Sequence, residues 1–264
     1  MMKLPIYQVD AFARTVFGGN PAAVVPLESW LYDTTMQQIA AENALSETAF
    51  IVPKGNEWEI RWFTPVQEVE LCGHATLASG WVVLTHLQPR REVVRFASKS
   101  GELSVARAGD RLAMELPRWM PEPVAAPPPA LARALGRAPT ETLAHGSKYF
   151  CVYESASDVA ALQPDFAALR TLDRYGVIAT APGAERECDF VSRFFAPASG
   201  IPEDPVTGSA HTSLAPYWAE RLGRDELVGY QASARGGVVQ VVPSGDRVYL
   251  KGRAITVLDG ELLV

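Results

Sequence analysis

Apolar and polar positions alternate in short runs along much of the chain, the period-two signature of half-buried strands. Such runs occupy Ile6 to Phe12, Ala22 to Val25, Thr48 to Val52, Glu59 to Phe63, Val93 to Ala97, Glu102 to Ala106 and Arg111 to Leu116. After a stretch crowded with Pro117, Pro121, Pro123, Pro127, Pro128 and Pro129, the pattern resumes at Tyr149 to Tyr153, Gly176 to Thr180, Asp189 to Phe195, Val238 to Val242, Val248 to Lys251 and Ala254 to Leu258. Pro243-Ser244-Gly245-Asp246 reads as a hairpin turn. Three runs follow another rule. Thr34 to Asn43 carries Met36, Ile39 and Ala40 on one helical face, with Asp33 as the expected cap. Leu71 to Pro89 and Pro205 to Ala219 contain no charged residue, yet their glycines, hydroxyls and histidines make them poor membrane spans. They predict buried helices beginning near Gly73 and Gly208, the second kinked or interrupted at Pro216.

The two helical runs belong to a repeat. Arg61-Trp62-Phe63-Thr64-Pro65 matches Arg193-Phe194-Phe195-Ala196-Pro197 at an offset of 132, half of the 264 residues. Each copy leads to a Gly-x-Ala, Gly73-His74-Ala75 and Gly208-Ser209-Ala210, with three extra residues in the second. A helix apolar on all sides must be covered on all sides, and strands are what the chain offers to cover it. The expected fold is therefore α+β: two pseudo-symmetric halves, each a mostly antiparallel or mixed sheet curled around one central helix. The proline stretch is the linker, dividing the chain into residues 1–117 and 118–264, with the last strand free to pack on the first half.

Composition narrows the function. With 48% hydrophobic and 20% charged residues the chain reads as globular, and 24 Lys+Arg against 30 Asp+Glu, without a basic run, lacks the footprint of a nucleic-acid binder. Small molecules are the expected partners. The stretch Met1 to Asp10 lacks the basic start and apolar core of a signal peptide, so a cytoplasmic location is expected. Cys72, Cys151 and Cys188, odd in number and widely spaced, favour reduced thiols over disulfides or a structural zinc site. P-loop, dinucleotide and zinc-peptidase signatures are missing, so neither cofactor nor metal is expected.

The candidate chemistry gathers near the repeated motifs. If the halves face each other about a pseudo-twofold axis, the helix starts at Gly73 and Gly208 point free N–H groups and positive dipole ends into one cleft, suited to an anion. Glu47, beside Leu45 and the apolar run Ala49 to Val52, has the setting of a general base, or else faces outward on its strand. No acid stands at the equivalent place near Ala179-Thr180-Ala181. His74 is either a proton shuttle or a satisfied core histidine, and Asp204 either a site residue or a cap of the turn before Gly208. Ser209 sits in no nucleophile elbow. Cys72 has Thr207 as its repeat partner, which disfavours a two-thiol racemase.

Gly19-Asn20-Pro21-Ala22-Ala23-Val24, Leu45-Ser46-Glu47-Thr48-Ala49-Phe50, Glu70-Leu71-Cys72-Gly73-His74-Ala75-Thr76 and Glu203-Asp204-Pro205-Val206-Thr207-Gly208-Ser209-Ala210-His211 resemble the PhzF-like phenazine-biosynthesis family. The resemblance implies the diaminopimelate epimerase-like fold, cofactor-free isomerisation of a small carboxylate and commonly a homodimer. It implies Glu47, His74 and Asp204 as catalytic residues and Asn20, Gly73, Gly208 and Ser209 as substrate-binding. Two other readings stay open: a racemase or epimerase of an amino or hydroxy acid, and a non-catalytic protein that binds a carboxylate metabolite.

Overall fold

The computed structural model describes residues 2–183 and 188–264. Two compact units emerge, one formed by Met1–Leu116 with Leu250–Val264, the other by Pro117–Tyr249. The second half thus ends at Tyr249 rather than Val264, because the last stretch of chain goes back to the first unit.

The first unit runs β1 (Lys3–Ala11), β2 (Asn20–Pro26), α1 (Asp33–Asn43), β3 (Glu47–Lys54), β4 (Glu57–Phe63), β5 (Glu68–Val69), α2 (Gly73–Val82), β6 (Val93–Ser98), β7 (Gly101–Ala108) and β8 (Arg111–Pro117). β1 and β2 pair antiparallel, β2 and β3 parallel, β3 and β4 antiparallel, β4 and β5 antiparallel, β4 and β6 parallel, and β6 and β7 antiparallel. Alternation along β3 sends Phe50 and Val52 into an apolar cluster with Met36, Ile39 and Ala40 of α1, leaving Glu47, Ala49 and Ile51 on the opposite face. Both faces are covered, so Glu47 to Val52 are all buried. α2 packs against β1, β2, β3 and β7, and its residues His74 to Gly80 are buried without interruption. Gly80 makes the closest approach possible, since a Cβ there would lie 2.5 Å from Val105 on β7. Asp33 is a first-turn residue of α1, not its cap; it accepts a hydrogen bond from Arg61 at 2.8 Å.

The second unit runs β9 (Glu122–Pro123), α3 (Pro129–Leu135), β10 (Glu141–His145), β11 (Lys148–Val152), α4 (Ala156–Ala160), α5 (Phe166–Leu169), β12 (Gly176–Pro182), β13 (Phe190–Ala196), β14 (Ile201–Asp204), α6 (Gly208–Leu222), β15 (Leu227–Gln231), β16 (Gly237–Ser244) and β17 (Arg247–Gly252), the last crossing the unit boundary. Its ladders repeat those of the first unit in order: β10 and β11 antiparallel, β11 and β12 parallel, β12 and β13 antiparallel, β13 and β14 antiparallel, β13 and β15 parallel, β15 and β16 antiparallel. The central helix α6 lies on β15 and β16 and is buried from Ala210 to Trp218. It runs through Pro216 without interruption, contrary to expectation. Proline has no N–H for the carbonyl of Thr212, and that carbonyl instead accepts from the backbone N–H of Trp119 at 3.1 Å. The other sheet face holds Leu131, Leu135, Val159, Leu162, Leu169 and Phe195.

Side chains repeat as well as ladders. Arg61 grips Glu68 through two bonds of 2.8 Å and lies over the Phe63 ring; Arg193 grips Glu203 at 2.7 and 2.8 Å and lies over Phe195. Thr76 donates to the carbonyl of Cys72 at 2.6 Å, as His211 donates to that of Thr207 at 2.8 Å, each four residues back into the start of its helix.

The final strand, β18 (Ala254–Leu263), pairs antiparallel with β1 along its whole length, from Lys3 opposite Leu263 to Ala11 opposite Ala254.

Candidate functional site

In the first unit, three elements converge on the start of α2. Gly19 holds φ at +64°, and a Cβ on it would meet the Ala11 carbonyl at 2.2 Å, so glycine is required for the turn that delivers Asn20 as first residue of β2. Asn20 donates from Nδ2 to His74 Nδ1 at 3.1 Å. The other ring nitrogen, Nε2, faces Glu47 Oε2 at 3.2 Å. Cys72 Sγ lies 3.5 Å from Nδ1. All four side chains are buried, Asn20 completely.

Burial drives the His74 pKa down to about 3, with the Pro21 carbonyl offsetting part of the effect, so the imidazole is neutral at physiological pH. Its contact with Glu47 therefore joins a neutral ring to a carboxyl group rather than two full charges. Gly73, His74 and Ala75 begin the helix, where backbone N–H groups have no partner within the helix. Glu47, Cys72 and His74 also bring one possible ligand atom each to within 4.8 Å of one another, a spacing that a divalent cation could use.

In the second unit, Asp204 ends β14 and accepts through Oδ2 from the Thr207 hydroxyl. Gln231, fully buried on β15, clamps this turn: its Oε1 accepts from the Thr207 N–H at 2.8 Å, while Nε2 donates to the Asp204 carbonyl at 2.7 Å. Ser209, second residue of α6, accepts from Lys148 Nζ at 3.2 Å. His211 is neutral, its pKa pushed down to about 4 by burial. By strand register the counterpart of Glu47 in the second repeat is Gly176, since Arg61 stands opposite Phe50 as Arg193 stands opposite Ala179, and Thr180 donates to the Val191 carbonyl at 2.7 Å.

Asn20, Glu47, Gly73 and His74 thus meet in the first unit, and Asp204, Gly208 and Ser209 share a turn in the second. Sequence reasoning passed over Gln231 and Lys148. The strand reading there began at Tyr149, one residue too late, and a glutamine within Leu227–Gln231 carries no local sign of its inward aim.

Two repeats of one sheet-and-helix unit, each with a glycine-started buried helix beside polar side chains, make up an α+β fold that solved structures share. A probable proline racemase of Agrobacterium radiobacter has a similar fold, with a TM-score of 0.64 at 9% identity over 99% of this chain and 92% of that one, a likeness of fold alone. The chain belongs to the phenazine biosynthesis-like (PhzC-PhzF) family, whose profile matches residues 9–260. It is 52% identical to a Pseudomonas aeruginosa protein named an uncharacterized isomerase, over 99% of each chain. The human phenazine biosynthesis-like domain-containing protein is 37% identical over 99% of each chain. A PhzF-family protein of Enterococcus faecalis superposes with a TM-score of 0.95, at 44% identity and with both chains wholly covered.

Proposed function

We propose that the protein is a cofactor-independent isomerase that moves a carbon-bound proton within a small carboxylate-containing metabolite. The observation that carries this reading is the Glu47 carboxyl group held 3.2 Å from a neutral His74 at the N-terminus of α2. Glu47 takes the proton from one carbon and returns it to another; His74 keeps the carboxyl aligned and offers its Nε2–H to charge building on the substrate; the first-turn amides from Gly73 receive the anionic oxygen. Asn20 fixes the imidazole ring. Asp204, Gly208 and Ser209 take the catalytic and binding roles that the family resemblance assigns them. The names of the isomerase relatives support the reaction class.

An epimerase needs two opposed proton carriers, and the repeat position of Glu47 is Gly176, which has no side chain to carry a proton and so favours a single carrier. We also propose a cytoplasmic homodimer, which light scattering would weigh at twice the 28.6 kDa chain. The function is tested by NMR of small carboxylates incubated with the protein in deuterated water. Deuterium uptake at a substrate carbon, lost in Glu47→Gln, supports the isomerase. Binding without uptake across a ligand that stabilises the protein would leave a metabolite-binding protein instead.

A further inference from the structure

Lys148 opens β11 as Asn20 opens β2, and each reaches the second residue of its unit's central helix: Asn20 to His74, Lys148 to Ser209. By strand register Lys148 corresponds to Ala22, so the second unit brings a cation to its helix start from the strand position two beyond that of Asn20. Gly176, opposite Lys148 across the parallel ladder, lies close under the Phe194 ring, where a Cβ would come to 2.8 Å. The ammonium is partly buried, and burial lowers its pKa to about 8. Among the described residues its hydrogen-bond partner is the Ser209 hydroxyl at 3.2 Å and its other polar neighbour the face of Tyr175 at 5.9 Å; no described carboxylate forms an ion pair with it. A half-buried ammonium with one neutral oxygen for three N–H donors is a site awaiting an anion.

We propose that Lys148, together with Ser209, binds an anionic oxygen of the ligand, a carboxylate, and so selects charged over neutral ligands. The proposal rests on the carboxylate-isomerase reading for the identity of the anion, but the contact is independent of proton transfer. Lysine rather than a neutral residue at this position makes ligand charge a condition of binding, whereas Glu47 decides only what happens after binding.

Calorimetric titration tests it with benzoate and succinate against benzamide and succinamide as neutral probes, on wild type, Lys148→Met and Lys148→Arg. A charged hydrogen bond of this kind is expected to weaken carboxylate binding about tenfold or more in Lys148→Met, with Lys148→Arg close to wild type and the amides unaffected. The pH profile separates charge from shape. The titratable groups around Lys148 are His145 opposite it on the hairpin, lowered by burial and by the Lys148 charge, and Tyr175, raised by burial and by the Asp204 charge. Neither titrates between pH 7 and 9, so wild-type affinity should fall above about pH 8 while that of Lys148→Arg stays level. Carboxylates that bind wild type no better than their amides, or equally well to Lys148→Met, would overturn the proposal. Lys148-dependent binding without deuterium uptake would instead remove the isomerase reading and leave the anion site; uptake that requires Glu47 with binding indifferent to Lys148 would do the reverse.

Discussion

Replacing His211 by glutamine should flatten the acid side of the stability profile. His211 donates from Nδ1 to the Thr207 carbonyl, its Nε2 is buried with no hydrogen-bond partner among the described residues, and the ring centroid lies 6.0 Å from that of Phe190. A second ring proton would have nowhere to go, and burial holds the folded pKa at about 4. In the unfolded chain the same ring titrates near 6.5, so below that pH the unfolded state binds the proton that the folded state refuses. Stability contributed by the neutral ring is thus present above about pH 6.5 and is lost as pH falls toward 4, by about 1.4 kcal/mol per pH unit. Between pH 7 and 5 this amounts to about 2 kcal/mol, and His74 adds a similar loss in the first unit, its window reaching down to about 3. Glutamine keeps an N–H for Thr207 and cannot titrate. Urea unfolding followed by tryptophan fluorescence, for which Trp218 sits in the same helix, would measure both proteins at pH 7 and pH 5. The variant starts lower at pH 7 through lost packing, yet should lose about 2 kcal/mol less on acidification. Equal losses, to within about 0.5 kcal/mol, would refute the assignment of His211 as a buried neutral ring.

Glu47→Gln should cut turnover by about 10² to 10⁴ while leaving circular dichroism and carboxylate affinity in place, and near-normal deuterium uptake would take Glu47 out of the mechanism. Gly19→Ala forces a side chain to φ +64° and onto the Ala11 carbonyl, so it should cost at least about 2 kcal/mol in urea unfolding and displace Asn20. An unchanged midpoint would show that the turn relaxes freely. Arg61 holds the Glu68 pKa at about 2, and both side chains are mostly shielded, so a double-mutant cycle with Arg61→Met and Glu68→Gln should return a coupling of about 1–3 kcal/mol. Arg193 and Glu203 should return the same, and a coupling near zero in either pair would break the equivalence of the two units.

The repeat was legible because its anchors are rigid chemistry. An arginine that must grip a glutamate and lie over a phenylalanine, and a glycine that must begin a buried helix, leave fixed letters at fixed spacing. Glu47 could be placed on β3, but its face was hidden: Glu47 to Val52 are buried on both sides, and only the packing of Phe50 against α1 shows which way the carboxyl points. β15 escaped notice because Gly229 interrupts its apolar run, and the structure explains the glycine, since a Cβ there would lie 2.4 Å from the Phe190 ring. β10, Glu141 to His145, has little strand propensity and is held by neighbours on both sides, β9 and β11. Pro216 misled in the opposite direction. The local rule forbids it, and a distant N–H from Trp119 makes it tolerable.

The pairing of β18 with β1 sets an order of events on the ribosome. Pro117 to Tyr249 is contiguous and has β9 to β16 once that stretch has emerged, so the second unit can form during synthesis. β1 must wait for the whole of the intervening chain before Ala254–Leu263 arrives to lie beside it. Until then its free edge is open to mispairing with other nascent chains. The unit that holds Asn20, Glu47 and His74 thus depends for its completed sheet on a strand made long after them, and polypeptides ending before Ala254 would be deprived of that strand.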